Sequence, residues 1–171
     1  MNQRRSFLRM ASAAVPAGAA ILATGVAHAD EGNSKEILGS WNTIHTLPFP
    51  PPIDKFREFL SFAEGGVLHE TNSFLHTSSN LDFSQFGLPS VLNASDGAGN
   101  WTRVSNGVFQ VVFRKLLFDG LHQNFGDLHV AGFVRVIQSQ LVANWRITVI
   151  DLAGHLLADL GPATSTGTQI A

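Results

Sequence analysis

The chain is expected to fold as an all-β protein: a single antiparallel up-and-down β-barrel of about seven to nine strands, preceded by a signal peptide. Three observations lead there. From Gly39 onward, apolar and polar residues alternate with a period of two, in runs bounded by turn residues. No long helical pattern and no fixed-period repeat interrupts them. The runs are rich in Val and Phe, and closing such a sheet removes exposed edges that would otherwise recruit other chains.

The elements follow in order. Trp41 to Thr46 alternates as a first strand. Leu47-Pro48-Phe49-Pro50-Pro51-Pro52 lacks the N–H groups a sheet interior needs, so it reads as an extended loop. Phe56, Phe59 and Leu60 have helical spacing, yet the Glu64-Gly65-Gly66 turn and the Val67 to Ser73 run favour a hairpin. Phe74 to Ala98 mixes turn residues with Phe74, Phe83, Phe86 and Leu92. A long loop that apolar is expected to pack over something, as a lid or a short helix closing one end of the barrel, or simply on its own core. Asn100 to Val104 and Val108 to Phe118 flank an Asn106-Gly107 turn suited to positive φ. After Asp119-Gly120, Asp127 to Gln138 and Leu141 to Ile150 form the next pair. In the latter, Leu141, Ala143, Trp145, Ile147 and Val149 share one face. Asp151 to Gly154 turns the chain into His155 to Leu160, and Thr166 to Ile170 is a candidate last strand.

The N-terminus carries an address. Arg4-Arg5-Ser6-Phe7-Leu8-Arg9 resembles a twin-arginine export signal. A small-residue apolar run to Val26 follows, then an Ala27-His28-Ala29 cleavage pattern. The expected organisation is a signal peptide over 1–29, a polar leader over 30–37 and a barrel domain over 38–171. Cleavage after Ala29 leaves 142 residues with a formal charge of −5 and no stable membrane span. That acidic balance argues against nucleic acid as the main partner. The chain has no cysteine, which excludes disulfides and thiolate chemistry. The expected location is periplasmic or secreted, from a bacterial cell.

Leu38-Gly39-Ser40-Trp41 resembles the Gly-x-Trp start of lipocalin-like, or calycin, barrels. Phe56 to Gly66, Gly99-Asn100-Trp101, Val108 to Gly120 and Asp151 to Gly154 resemble a bacterial lipocalin-like family of small, mostly uncharacterised proteins. The resemblance covers roughly Leu38 to Ile170. It implies that Gly39 and Trp41 close the barrel base, commonly under an Arg from a late strand. Here Gln169 stands near that place, with Arg146 and Arg135 as substitutes. It also implies an interior suited to one small, mostly apolar ligand, or filled by side chains.

No catalytic signature is present: no Gly-x-Ser-x-Gly, no phosphate-binding glycine loop, no H-E-x-x-H. The six histidines beyond the leader show no metal-ligand spacing, so neither metal nor other cofactor is expected. Glu70 and Arg146 lie in largely apolar strands; the favoured reading is that both face solvent, and if both point inward they form a candidate interior ion pair, since a buried charge needs a counter-ion. The candidate interior residues are Glu70, Trp101, Phe113, His129, Phe133, Arg135, Trp145 and Arg146. The leading expectation is an exported, non-catalytic barrel that binds a small hydrophobic ligand, with a homodimer left open. The alternatives are a cyclase- or isomerase-type barrel enzyme, which needs convergent polar groups inside, and a solid barrel that works through its surface.

Overall fold

The computed structural model describes residues 36–49, 51, 54–73, 83–89 and 92–171. The export signal, most of the polar leader and residues 74–82 lie outside the described part. Nine strands form one antiparallel sheet: β1 (Gly39–Thr46), β2 (Lys55–Ala63), β3 (Val67–Asn72), β4 (Asn93–Ala94), β5 (Gly97–Ser105), β6 (Val108–Phe118), β7 (Asn124–Ile137), β8 (Gln140–Asp151) and β9 (Leu156–Gln169). Eight of them close into a barrel, and the two-residue β4 is the extra strand. It continues the line of β5 along the edge of β6, after an interruption at Ser95 and Asp96.

The connectivity is that of a meander. Apart from the extra strand β4, neighbours in sequence are neighbours in the sheet, and the non-local seam of β1 against β9 joins the ends. Along that seam Trp41 faces Gln169 and His45 faces Ser165.

The ambiguous Phe56 to Phe62 run is strand. Glu58, Leu60 and Phe62 turn inward at two-residue spacing, which a helix would scatter around its circumference. Two other segments depart from the expected boundaries. β7 starts at Asn124, earlier than the alternation alone indicates. The tail does not split into two strands: β9 runs unbroken from Leu156 to Gln169. Gly161, at φ +85°, absorbs a register shift opposite Ile147 and Thr148, so the strand bends and continues. Pro162 is tolerated because β1 pairs with β9 only from Thr164 onward, leaving Pro162 with β8 as its sole partner strand.

The core is the barrel interior, and its two ends differ. One end, under the β2–β3, β5–β6 and β7–β8 turns, is filled by aromatic and aliphatic side chains. Trp101 packs edge-on against Phe62 and Phe109, with ring centroids 6.3 and 5.6 Å away. Trp41 is buried there and donates its indole N–H to the Ile37 carbonyl at 2.8 Å, so Ile37, at the end of the polar leader, belongs to the core. At the opposite end, buried Phe83, Leu88 and Leu92 lie across the mouth, from the segment expected to pack over the barrel. Among the described residues no helix is long and apolar enough to cross a membrane.

Candidate functional site

At the covered mouth lies a partly open cavity of about 40 Å³. Its lining is nearly all apolar: Leu47, Phe56, Leu117, Ile147 and Leu160 from the barrel wall, with Phe83, Leu88 and Leu92 from the cover. Asn72 is the polar exception.

Strand parity then fixes what stands one tier deeper, because side chains two residues apart share a face. Two positions inward from Leu47 on β1 is His45. From Phe56 on β2 it is Glu58, from Asn72 on β3 Glu70, from Leu117 on β6 Lys115, and from Ile147 on β8 Trp145. All five are buried. An apolar mouth thus sits over a tier holding two carboxylates, an ammonium, an imidazole and an indole N–H.

The tier is held by two linked groups of contacts. In the first, Lys115 Nζ lies 2.7 Å from Glu70 Oε2, an ion pair by distance that lacks the alignment of a hydrogen bond. Asn72 donates to the other Glu70 oxygen at 2.5 Å. Burial pushes the Glu70 carboxyl above its usual pKa. The Lys115 charge opposes that, and repulsion from Glu58 adds to it. In the second group, Glu58 Oε2 accepts from Thr43 at 3.0 Å and from Ser165 at 3.2 Å. Ser165 Oγ also accepts from Trp145 Nε1 at 2.9 Å and lies 3.0 Å from His45 Nδ1. His45 stacks on Phe56, with centroids 4.6 Å apart. This is not a Ser–His–acid relay. Ser165 and Glu58 both face Nδ1 of His45, at 3.0 and 3.5 Å, whereas a relay places its nucleophile at Nε2. His45 Nε2 is buried with no hydrogen-bond partner among the described residues.

Glycine makes room for this tier at one point. A Cβ on Gly97 of β5 would lie 2.7 Å from Glu70 Oε2 and 2.9 Å from the Phe113 ring, so a side chain there would displace the carboxylate.

The candidate interior residues divide by strand face. Glu70, Trp101, Phe113 and Trp145 are buried, and Phe113 packs edge-on against Trp145 at 5.9 Å. Four others are corrected, because they do not point inward. On β7 the inward face is Val130 and Val134, so the opposite parity turns His129, Phe133 and Arg135 outward; Phe133 is 51 % exposed. Desolvation at the wall and the nearby Arg114 lower the His129 pKa, with Asp127 opposing. Arg146 also faces solvent and pairs there with Asp159 across β8 and β9. Its side chain is 63 % exposed. The candidate Glu70–Arg146 pair therefore does not form: Arg146 takes the solvent-facing alternative, and Lys115 is the counter-ion of Glu70.

At the base, Gly39 and Trp41 lie beside Gln169, which donates to the Leu38 carbonyl at 2.8 Å. Neither Arg146 nor Arg135 substitutes for the expected closing arginine, since both are on the outer surface.

A second hollow, of about 200 Å³, lies on the outer wall between Phe59, Ser61, His69, Thr71 and Asp96. Among the described residues no three His, Asp or Glu side chains are grouped to hold a metal ion.

The sequence reading missed His45, Glu58, Lys115 and Ser165. Parity was the available signal. Lys115 falls in phase with Phe109, Val111, Phe113 and Leu117, and Glu58 with Leu60 and Phe62. No family model matches the chain, and neither do any curated protein or any solved structure.

Proposed function

We propose that the protein is an exported, lipocalin-like barrel that binds a small, mostly apolar ligand in its interior without transforming it. The observation that carries the reading is the apolar cavity at one mouth, beneath a cover made by a separate segment of chain. Pockets of this kind, concave and mostly apolar with a few convergent polar groups, are the common form of a small-molecule site. Its volume limits the ligand. An engineered cavity of about 150 Å³ holds benzene, so about 40 Å³ admits only part of a molecule, and the rest emerges at the open mouth. Export is supported by Arg4, Arg5 and the pattern ending at Ala29. The lipocalin-like assignment is supported by Gly39-x-Trp41 at the closed end and by the meander topology.

Native mass spectrometry of protein isolated from its own cell envelope tests the reading. A co-purifying small molecule, released when the cover is opened by Leu88→Asp, is the expected result. Protein that carries nothing, and that no small apolar probe perturbs, overturns it.

A second reading is favoured by a different observation, the densely filled lower half of the barrel. A solid barrel acting through its surface would then explain the exposed Leu121, Leu152 and Leu156 near the mouth-end loops. Loss of a partner protein on replacing these leucines, with apolar probes ignored, would decide for it.

A further inference from the structure

We infer that the polar tier beneath the cavity reads one neutral oxygen acceptor on the ligand, a ketone, ester or alcohol oxygen, through Lys115 Nζ. The inference rests on the interior-binding reading above and adds the ligand's chemical class.

Lys115 has N–H donors to spare. An ammonium has three N–H groups. Even with one directed at Glu70, Lys115 keeps two, and no hydrogen bond uses them among the described residues although the side chain is buried. His45 Nε2 is also unmatched, but as an acceptor: Ser165 gives its proton to Glu58, so Nδ1 carries the ring proton toward Ser165 and Nε2 keeps a lone pair that an alcohol, though not a ketone, could also meet. Leaving a charged group unmatched in an interior is costly, so the free N–H groups of Lys115 mark a place built for a partner. Lys115 stands directly inward of the cavity-lining Leu117 on β6.

Charge selects the kind of oxygen. The tier already holds the carboxylates of Glu58 and Glu70 against one ammonium. A ligand carboxylate or phosphate would bring further negative charge into a low-dielectric interior that is already in excess of it. A neutral acceptor meets the donors without that penalty. Among the described residues the wall above offers only Asn72 as a polar contact, so the rest of the ligand's buried part is hydrocarbon.

Four probes of similar size separate the possibilities: cyclohexanone, cyclohexanol, methylcyclohexane and cyclohexanecarboxylate. Binding is followed on the full chain by the ¹⁵N–¹H signal of the Trp145 indole, whose N–H ends on Ser165 inside the tier. The ketone and alcohol are expected to bind at least about tenfold tighter than methylcyclohexane, to shift the Trp145 signal, and to exceed the carboxylate. The preference should vanish in the paired variant Lys115→Met with Glu70→Met, which removes both charges together and keeps volume. Equal affinity for ketone and hydrocarbon, or tightest binding of the carboxylate, overturns the inference while leaving interior binding intact. Binding of none of the four overturns both. The wild-type measurements alone decide should the paired variant not fold.

Discussion

Lys115 and Glu70 illustrate how a single side chain in the barrel can be indispensable as a partner and dispensable as a pair. Lys115→Ala leaves a carboxylate that is 2 % exposed without its counter-ion. Breaking a buried pair from one side costs about 3–5 kcal/mol, whereas replacing both partners by apolar groups is often neutral. Urea unfolding of Lys115→Ala should therefore show a large loss, and Lys115→Met with Glu70→Met should recover most of it. The same site predicts a pH response. Because the folded-state pKa of Glu70 is raised above the ordinary 4.5, the folded protein holds this proton more tightly than the unfolded chain. The stabilisation from Glu70 is thus fully present below pH 4.5 and is lost as pH rises through the raised value. His129 works in the opposite sense: its lowered pKa stabilises the fold above pH 6.5 and that contribution is lost on acidification. Stability measured across pH should show the Glu70 component disappear in the paired variant and the His129 component disappear in His129→Gln. At this scale the sequence was legible only where one parity was uniformly apolar. Trp145 was readable because Leu141, Ala143, Ile147 and Val149 share its face. Phe133 and Arg135 were misplaced because an aromatic and a cation share a parity, while the true inward face of β7 is set by Val130 and Val134.

Strands here are shaped by where side chains are missing as well as by where they pack. Gly132 of β7 lies under Trp145 of β8, and a Cβ at that position would come 2.0 Å from the Asn144 carbonyl oxygen and 2.7 Å from the indole. Backbone cannot yield there, so Gly132→Val should lower stability by about 1–3 kcal/mol or more, read as a fall in Tm. The β8–β9 turn depends on a different device. Asp151 accepts from the backbone N–H of Ala153 and His155 and contacts the His155 ring, and those bonds hold its pKa below the usual carboxylate range. The turns and the long strands β6 to β8 were legible because Asn106-Gly107, Asp119-Gly120 and Asp151 to Gly154 punctuate clean alternation. The unbroken β9 was not. Gly161-Pro162 is a stop signal in sequence, and only the positive φ of Gly161 and the absence of a β1 neighbour at Pro162 convert it into a bend.

For the whole molecule, closure through β1 and β9 leaves the barrel without a long free edge, which suits a chain so rich in Val and Phe. The proposal of export is tested at this scale. Arg4→Lys with Arg5→Lys should hold the protein in the cytoplasm, as seen by fractionation, whereas a change confined to Arg9 should matter less. Barrel topology could be anticipated because near-neighbour hairpins leave few other arrangements. The interior site could not, because its members come from six strands whose side chains meet only after the sheet curls.

The contact between His45 and Ser165 joins residues separated by 120 positions, and Glu58 reaches Ser165 over 107. Before the ends of the chain meet, Glu58 and His45 are hydrated and bear no strain. As the ends meet they lose water, and the Ser165 hydroxyl must arrive in the same motion to replace it. A barrel that joins its ends one step out of register would leave the buried Glu58 carboxylate with Thr43 but without the Ser165 hydroxyl. The serine thus gives the correct seam one more donor to the buried carboxylate, which favours that register.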